Sequence, residues 1–261
     1  MIEIVSWFKN QKRVLLNIFL VFIFAPSVVA YAIYSLDQNG YFLIQKIDLQ
    51  IQAKTDQKNY IKAYAEKLDS QLAAFKGQSL WAFELKNVSE ILKKQKWIKD
   101  FRIARSWPAS LEIEIETQDV ALLLADTQKL TQGLMKPVTQ DGELLPDIDT
   151  RQAPARAFLK GDVFVRDIEK RKKAIELLKS LPAEGKIGID QLAEINYNSK
   201  DGYWVSLIHS DMKIKLGEDQ FEVKTARVSQ VLDYLEKRNL KARVIDANLS
   251  KKVLVRLQQN P

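Results

Sequence analysis

Apolar and polar residues alternate with period two through YFLIQKIDLQI, 41–51, which places Ile47, Leu49 and Ile51 on one face of a strand. The period then lengthens. Ile61, Tyr64, Leu68, Leu72 and Phe75 recur at spacings of three and four, the mark of an amphipathic helix, with Asp56 expected to cap it and Gly77 to stop it. A second, shorter helix is expected within 80–99, where Asn87 and Glu90 stand in a capping-box relation and Val88, Ile91 and Leu92 form the buried face. Period two returns in DFRIARSWPASLEIEIET, 100–117: Phe101 and Ile103 alternate with polar or small residues, then Leu111, Ile113 and Ile115 with Glu112, Glu114 and Glu116. If these apolar residues share one face of an antiparallel pair, the connection holds an odd number of residues, three (106–108) or five (106–110). Pro108 then belongs to the turn, where its missing N–H costs no ladder bond. Trp107 is expected to cap one end of the core, and Arg102 to face the glutamate row.

Beyond Val120 the pattern shortens. Strands are expected in ALLLAD, in KPVTQDGELLP around a turn at Asp141-Gly142, and in AFLKGDV. A helix over 164–181 buries Ile168, Ala174, Ile175 and Leu178. AEINYN, YWVSLI and MKIKLG resume the strands, Asp219 opens a helix carrying Phe221, Val228, Val231, Leu232 and Leu235, and ARVID and VLVRL close the chain around a turn at 248–251.

One stretch fits none of these. Residues 14–34, VLLNIFLVFIFAPSVVAYAIY, are 21 positions without a charge, enough at about 1.5 Å per residue to cross a hydrocarbon layer of roughly 30 Å. Lys9, Lys12 and Arg13 precede it, so residues 1–13 are expected as a cytoplasmic tail, 14–34 as a transmembrane helix and 35–261 as the extracytoplasmic part. Trp7, Phe8, Tyr31 and Tyr34 suit the two interfaces. A cleaved signal peptide is the competing reading, because Ala30-Tyr31-Ala32 has the form of a cleavage site. The apolar run exceeds the roughly 7–15 residues of a signal core, which favours the anchor.

Composition narrows the chemistry. The chain is 46% hydrophobic and 28% charged, that of a folded protein, and it lacks cysteine, which excludes disulfides and thiolate sites. Histidine occurs once, at His209, near a strand end with no nucleophile pattern beside it, and is read as structural. No phosphate loop, dinucleotide fingerprint, nucleophile elbow or two-His metal motif is present. The Glu112, Glu114, Glu116 row reads as a solvated strand face and Ser250-Lys251 as a turn. The net charge of +7 is read as spread along the chain, against a nucleic-acid stripe. The expectation is therefore no enzyme, no cofactor, no metal, no nucleic acid and no small-molecule substrate. The useful features are the anchor, the small α/β unit and the strand edges. An edge accepts a partner strand through main-chain hydrogen bonds, and the last strand is a candidate.

The run LWAFELKNVSEILKKQKWIKDFRIARSWPASLEIEI, 80–115, resembles the FtsQ/DivIB family of bacterial cell-division proteins. The resemblance lies in a helix leading to Trp97-Ile98-Lys99, then Arg105-Ser106-Trp107-Pro108, then Leu111 and Ile113. Asp141-Gly142, Leu216-Gly217 and Asp246 are weaker echoes, and the chain departs from the family pattern at 117–121 and 246–248. The resemblance implies an α+β chain: transmembrane helix, POTRA domain of β-α-α-β-β order at 42–119, and a mixed β domain with two packed helices at 120–261. Trp97, Arg105, Trp107, Pro108, Leu111 and Ile113 would be its structural signature. It further implies a non-catalytic scaffold in the inner membrane at the division site, joining early cytoplasmic division proteins to septal wall synthesis. Single-pass partners of the FtsB and FtsL type would add a strand near Val253, Val255 and Leu257. An exported wall protein released by cleavage, or a POTRA chaperone module of a secretion system, are the alternative functions.

Overall fold

A computed structural model describes residues 24–249 and 252–258 of the chain. The expected tail, 1–13, and the first ten positions of the expected span lie outside the described residues. Residues 24–38 are helical, and the Ala30-Tyr31-Ala32 sequence lies within this helix. Among the described residues no helix is long and apolar enough to cross a membrane.

The chain divides into two compact units, one built from residues up to 50, 66–92 and 101–115, the other from 51–65, 93–100 and 116 onward. Between residues 46 and 117 the strand and helix order is the expected one: β1 (Lys46–Gln52), α1 (Lys58–Leu72), α2 (Leu85–Lys93), β2 (Ile98–Ser106) and β3 (Ser110–Thr117). The three strands form one sheet with β3 at its centre, in the order β1-β3-β2. Central position explains the clean alternation of β3, in which Leu111, Ile113 and Ile115 are fully buried while Glu112 and Glu114 are half exposed. Full burial of such a side chain stabilises by about 1.5–3 kcal/mol. Leu68, Leu72, Val88 and Leu92 supply the buried residues of the helices. Strand β2 lies at the edge, so Phe101 and Ile103 are only half covered. Arg102 meets Glu114 at 3.7 Å and Lys99 pairs with Glu116, as expected for a solvated glutamate row.

Local expectations shift where side chains have better partners. Asp56 does not cap α1; it sits inside a 3₁₀ turn (Thr55–Gln57), and its carboxylate pairs with Arg156. Asn87 is inside α2, not at its cap, because the helix begins two residues earlier. The connection between β2 and β3 has the odd length required, three residues, but comprises Trp107, Pro108 and Ala109, with a cis Trp107-Pro108 bond.

The remaining strands form a nine-stranded sheet in the order β12-β11-β10-β9-β8-β7-β4-β5-β6. They are β4 (Val120–Ala125), β5 (Leu134–Thr139), β6 (Ile148–Asp149), β7 (Phe158–Lys160), β8 (Leu192–Asn198), β9 (Gly202–Leu207), β10 (Lys213–Gly217), β11 (Ala242–Asp246) and β12 (Leu254–Leu257). Strand β4 is buried along almost its whole length, pairing β5 antiparallel and β7 parallel. Two helices, α3 (Ile168–Ser180) and α4 (Phe221–Lys237), join the core with Ala174, Ile175, Leu177 and Leu178 from the first and Phe221, Val228 and Leu232 from the second. On β9, Tyr203, Val205 and Leu207 are buried while Trp204 and Ser206 are half exposed, so one face of this sheet is covered and the other wetted. The single helix expected over 164–181 is two. A short turn of helix (Val163–Arg166) ends at Asp167, whose carboxylate accepts from the N–H groups of Glu169 and Lys170 and so starts α3. Helix α4 starts one residue later than expected: Gln220 precedes it with φ 52, and Asp219 binds Lys224 Nζ at 2.8 Å.

Candidate functional site

The end of the nine-stranded sheet is built by residues 237–258. Helix α4 stops through Asn239 in the left-handed region (φ 52), with Leu240 N donating to Leu235 O at 2.9 Å. The chain thereby returns as β11, parallel to β10 with Lys213 opposite Val244. After Asp246, Ala247 N bonds Lys215 O at 2.9 Å and Asn248 N donates to Asp246 Oδ1 at 3.0 Å, forming an Asx turn that starts the reversal. Strand β12 then runs back antiparallel to β11, Ile245 opposite Val255 and Asp246 opposite Leu254, with a bulge between Ala242 and Val244.

Strand β12 is the terminal strand of the sheet. Gln258 N donates to Lys241 O at 2.8 Å, and successive residues of an antiparallel strand turn their N–H and C=O to opposite sides. Arg256 and Leu254 therefore face β11, while Val255 and Leu257 present their main-chain groups to the open side. Val253 lies one residue before the strand and shares their parity. Their side chains differ: Val253 and Val255 pack against the core, and Leu257 is 47% exposed. Between this strand and α4 lies an open groove of about 380 Å³ lined by Val231, Tyr234, Leu235, Leu240, Val255 and Leu257. Tyr234 stands half exposed on its rim with Arg238 against its ring. The opposite edge is defended. Strand β6 is two residues long, Asp149 is held by Arg151 and kept at a pKa of about 2, and the adjoining Asp147 pairs with Lys129 and Lys136. Burial alone would raise the Asp147 carboxyl, but the two ammonium groups outweigh it and hold it below its ordinary value.

One feature of this end was legible and unread in the sequence. Residues 237–258 contain Lys237, Arg238, Lys241, Arg243, Lys251, Lys252 and Arg256 against the single acid Asp246. The charge is concentrated in this segment of the sequence, not spread evenly along the chain. Counting charge in windows over the last two strands would have found it.

The signature residues lie elsewhere and do not converge on one site. Trp97 is 1% exposed, and Leu111 and Ile113 are fully buried in β3. Arg105 donates from Nε to Leu80 O at 3.0 Å and from Nη2 to Phe83 O at 2.7 Å, fixing the segment after α1. Trp107 does not cap the core: it is 48% exposed and packs against Trp81 at a tilt of 47°, ring centroids 4.3 Å apart. His209 occupies the turn between β9 and β10 with φ 56. Ser250-Lys251 lies outside the described residues.

Residues 129–248 match the family described as Cell division protein FtsQ/DivIB, C-terminal, and residues 64–117 match POTRA domain, FtsQ-type. The chain belongs to the FtsQ/DivIB family. Curated relatives described as Cell division protein FtsQ include those of Syntrophotalea carbinolica, 22% identical over 69% of this chain and 64% of the relative, and Geotalea daltonii, 22% identical over 69% and 66%. That of Myxococcus fulvus is 24% identical over 67% of this chain and 62% of the relative. The chain thus spans 62–66% of the length of these relatives. Within the family's two regions, the POTRA match ends at the last residue of β3, and the C-terminal match ends at Asn248, before β12.

Proposed function

We propose that this protein is a non-catalytic, membrane-anchored scaffold of the bacterial division machinery, with 42–119 as its POTRA domain and 120–261 as its β domain. It links early cytoplasmic division proteins to septal wall synthesis through extracytoplasmic contacts. The observation that carries the reading is the open β12 edge in a chain of the FtsQ/DivIB family. Val255 and Leu257 offer unpaired main-chain donors and acceptors there beside an apolar groove.

The chemistry of the edge describes its partner. An added strand would form a ladder on Val255 and Leu257 and send alternate side chains toward the groove beside α4, so apolar residues belong at those positions. Acidic residues flanking that strand complement the basic residues of 237–258 and speed encounter. Small single-pass division proteins of the FtsB and FtsL type are the partners this reading assigns. Residues 14–34 are the anchor, which puts the N-terminus in the cytoplasm and the remainder outside the inner membrane.

Depletion is expected to give long, unseptated cells, and a fluorescent fusion to gather at the division plane. Uniform peripheral signal with normal septation would refute the assignment. N-terminal sequencing of the mature protein tests the anchor: an intact start is expected, and a new terminus at Tyr31 or Ile33 would mean release by cleavage.

A further inference from the structure

Three loops meet at one end of the three-stranded sheet, and none carries a charge: 38–45 (QNGYFLIQ), 77–83 (GQSLWAF) and 106–111 (SWPASL). Main-chain bonds tie them together. Leu80 N donates to Phe42 O at 2.8 Å, Ile44 N to Gln78 O at 2.9 Å, and Gln45 N to Ala109 O at 2.9 Å. The loops bring four aromatic rings into one cluster, with Phe42 lying 5.4 Å from Tyr41, 5.7 Å from Trp81 and 6.1 Å from Trp107. The cluster is not core: Tyr41 is 51%, Trp81 56% and Trp107 48% exposed. Tyr and Trp rings left this exposed on loops are of the kind that concentrates where a membrane meets water.

The helix that precedes the cluster indicates what covers it. Residues 24–38 expose Phe24, Val28, Val29, Tyr31 and Tyr34, and the charge-free run that begins at Val14 extends through this helix to Leu36. The helix ends at the cluster, with Tyr41 N donating to Leu36 O at 3.0 Å. If the hydrocarbon core closes at Tyr34, residue 38 stands about 6 Å beyond it at about 1.5 Å per residue. The headgroup layer is roughly 5–8 Å thick on each side. The chain thus leaves its helix inside that layer, and Phe42, the ring at the centre of the cluster, follows four residues later.

We infer that Tyr41, Phe42, Trp81 and Trp107 form an interfacial aromatic seat that beds this end of the POTRA unit into the outer headgroup layer of the membrane. The Trp107-Pro108 corner then has a task at the lipid surface: it sets one indole against another at the level where the anchor emerges. The inference rests on the anchor in the proposed function, and its test separates the two.

The full chain with Trp7→Phe is reconstituted in vesicles of phosphatidylcholine and phosphatidylglycerol whose acyl chains are brominated near the headgroup. Of the four remaining tryptophans, Trp97 is 1% exposed and Trp204 lies on β9, so bromine quenching is expected to fall about twofold or more when Trp81 and Trp107 are both replaced by Phe. Equal quenching with and without these two indoles, in a chain that floats with the vesicles, would overturn the seat and leave the anchor intact; a surface reserved for a protein partner gives this result. A chain that neither floats with the vesicles nor shows quenching of Trp7 in the wild-type protein would overturn the anchor and the seat together. Because the chain has no cysteine, Ala82→Cys gives a single spin-label site that leaves all four rings in place. Its relaxation is expected to respond more to oxygen than to an aqueous nickel chelate, and the reverse order would also overturn the seat.

Discussion

Replacing Val255 by proline separates the role of the β12 edge in binding from its role in folding. The N–H of Val255 points away from β11, so proline there removes no bond of the folded chain, and φ near −65° is tolerated in an edge strand. The partner strand, however, loses one main-chain bond, worth about 0.5–1.5 kcal/mol, and keeps an unmet carbonyl at about 1–3 kcal/mol. The sum of about 1.5–4.5 kcal/mol corresponds to roughly 10- to 2,000-fold weaker binding. Arg256→Pro is the matched control, because the N–H of Arg256 faces β11 opposite Val244. There the loss of about 1–3 kcal/mol is expected in unfolding free energy. Calorimetric titration with the extracytoplasmic part of the FtsB-type protein of the same bacterium, together with urea unfolding of each variant, measures both. The reasoning fails if Val255→Pro binds as tightly as wild type, or if it loses as much stability as Arg256→Pro.

Arg105→Ala leaves the carbonyls of Leu80 and Phe83 without their guanidinium, and urea unfolding is expected to show a loss of about 1–3 kcal/mol. Arg105→Lys recovers only part of it, since one ammonium lacks the planar fork that meets both carbonyls. Gly202→Ala is expected to destabilise by about 1–3 kcal/mol or more, because φ there is +71° and a Cβ would lie 2.6 Å from the backbone carbon of Gly217; an unchanged melting temperature would contradict this. Acid should weaken the β domain in a defined window. Asp147 and Glu218 are held below their ordinary values in the folded state, the first by Lys129 and Lys136 against burial, the second by Tyr197 and Lys170. Their contribution is complete above the unfolded carboxyl value of about 4 and is lost as pH falls through the lower folded value. The urea midpoint should hold from neutrality to about pH 5 and drop below about 4, with a smaller drop in Lys129→Met/Lys136→Met.

Periodicity revealed the elements that have one wet and one dry side. Strand β3 and helix α2 alternate cleanly because one face of each is covered, and their buried residues are the ones the pattern picks out. It was less informative where tertiary partners decide. Asp56 and Asn87 carry cap chemistry but are not caps: Arg156 claims the first, and the second lies in a helix that starts earlier. Asp167, which does cap, was hidden because the apolar spacing runs through the break between the two helices. The two-residue β6 is too short for any period. At the open edge, the parity of Val253, Val255 and Leu257 was readable, but which parity faces outward depends on the register with β11. Trp107 is the sharpest reversal. Size suggested burial, whereas the structure leaves Trp107 48% exposed at a corner where it meets Trp81 and Phe42.

The most direct test of strand addition is residue-resolved amide hydrogen exchange across 253–258, with and without the FtsB-type partner. In the free protein Arg256 and Gln258, bonded into β11, should exchange slowly, while Val255 and Leu257 exchange fast. Partner binding should slow Val255 and Leu257 at least tenfold and change Arg256 little, since a ladder bond on the open side protects the outward amides. Binding that leaves Val255 and Leu257 exchanging at their free rates would contradict the account.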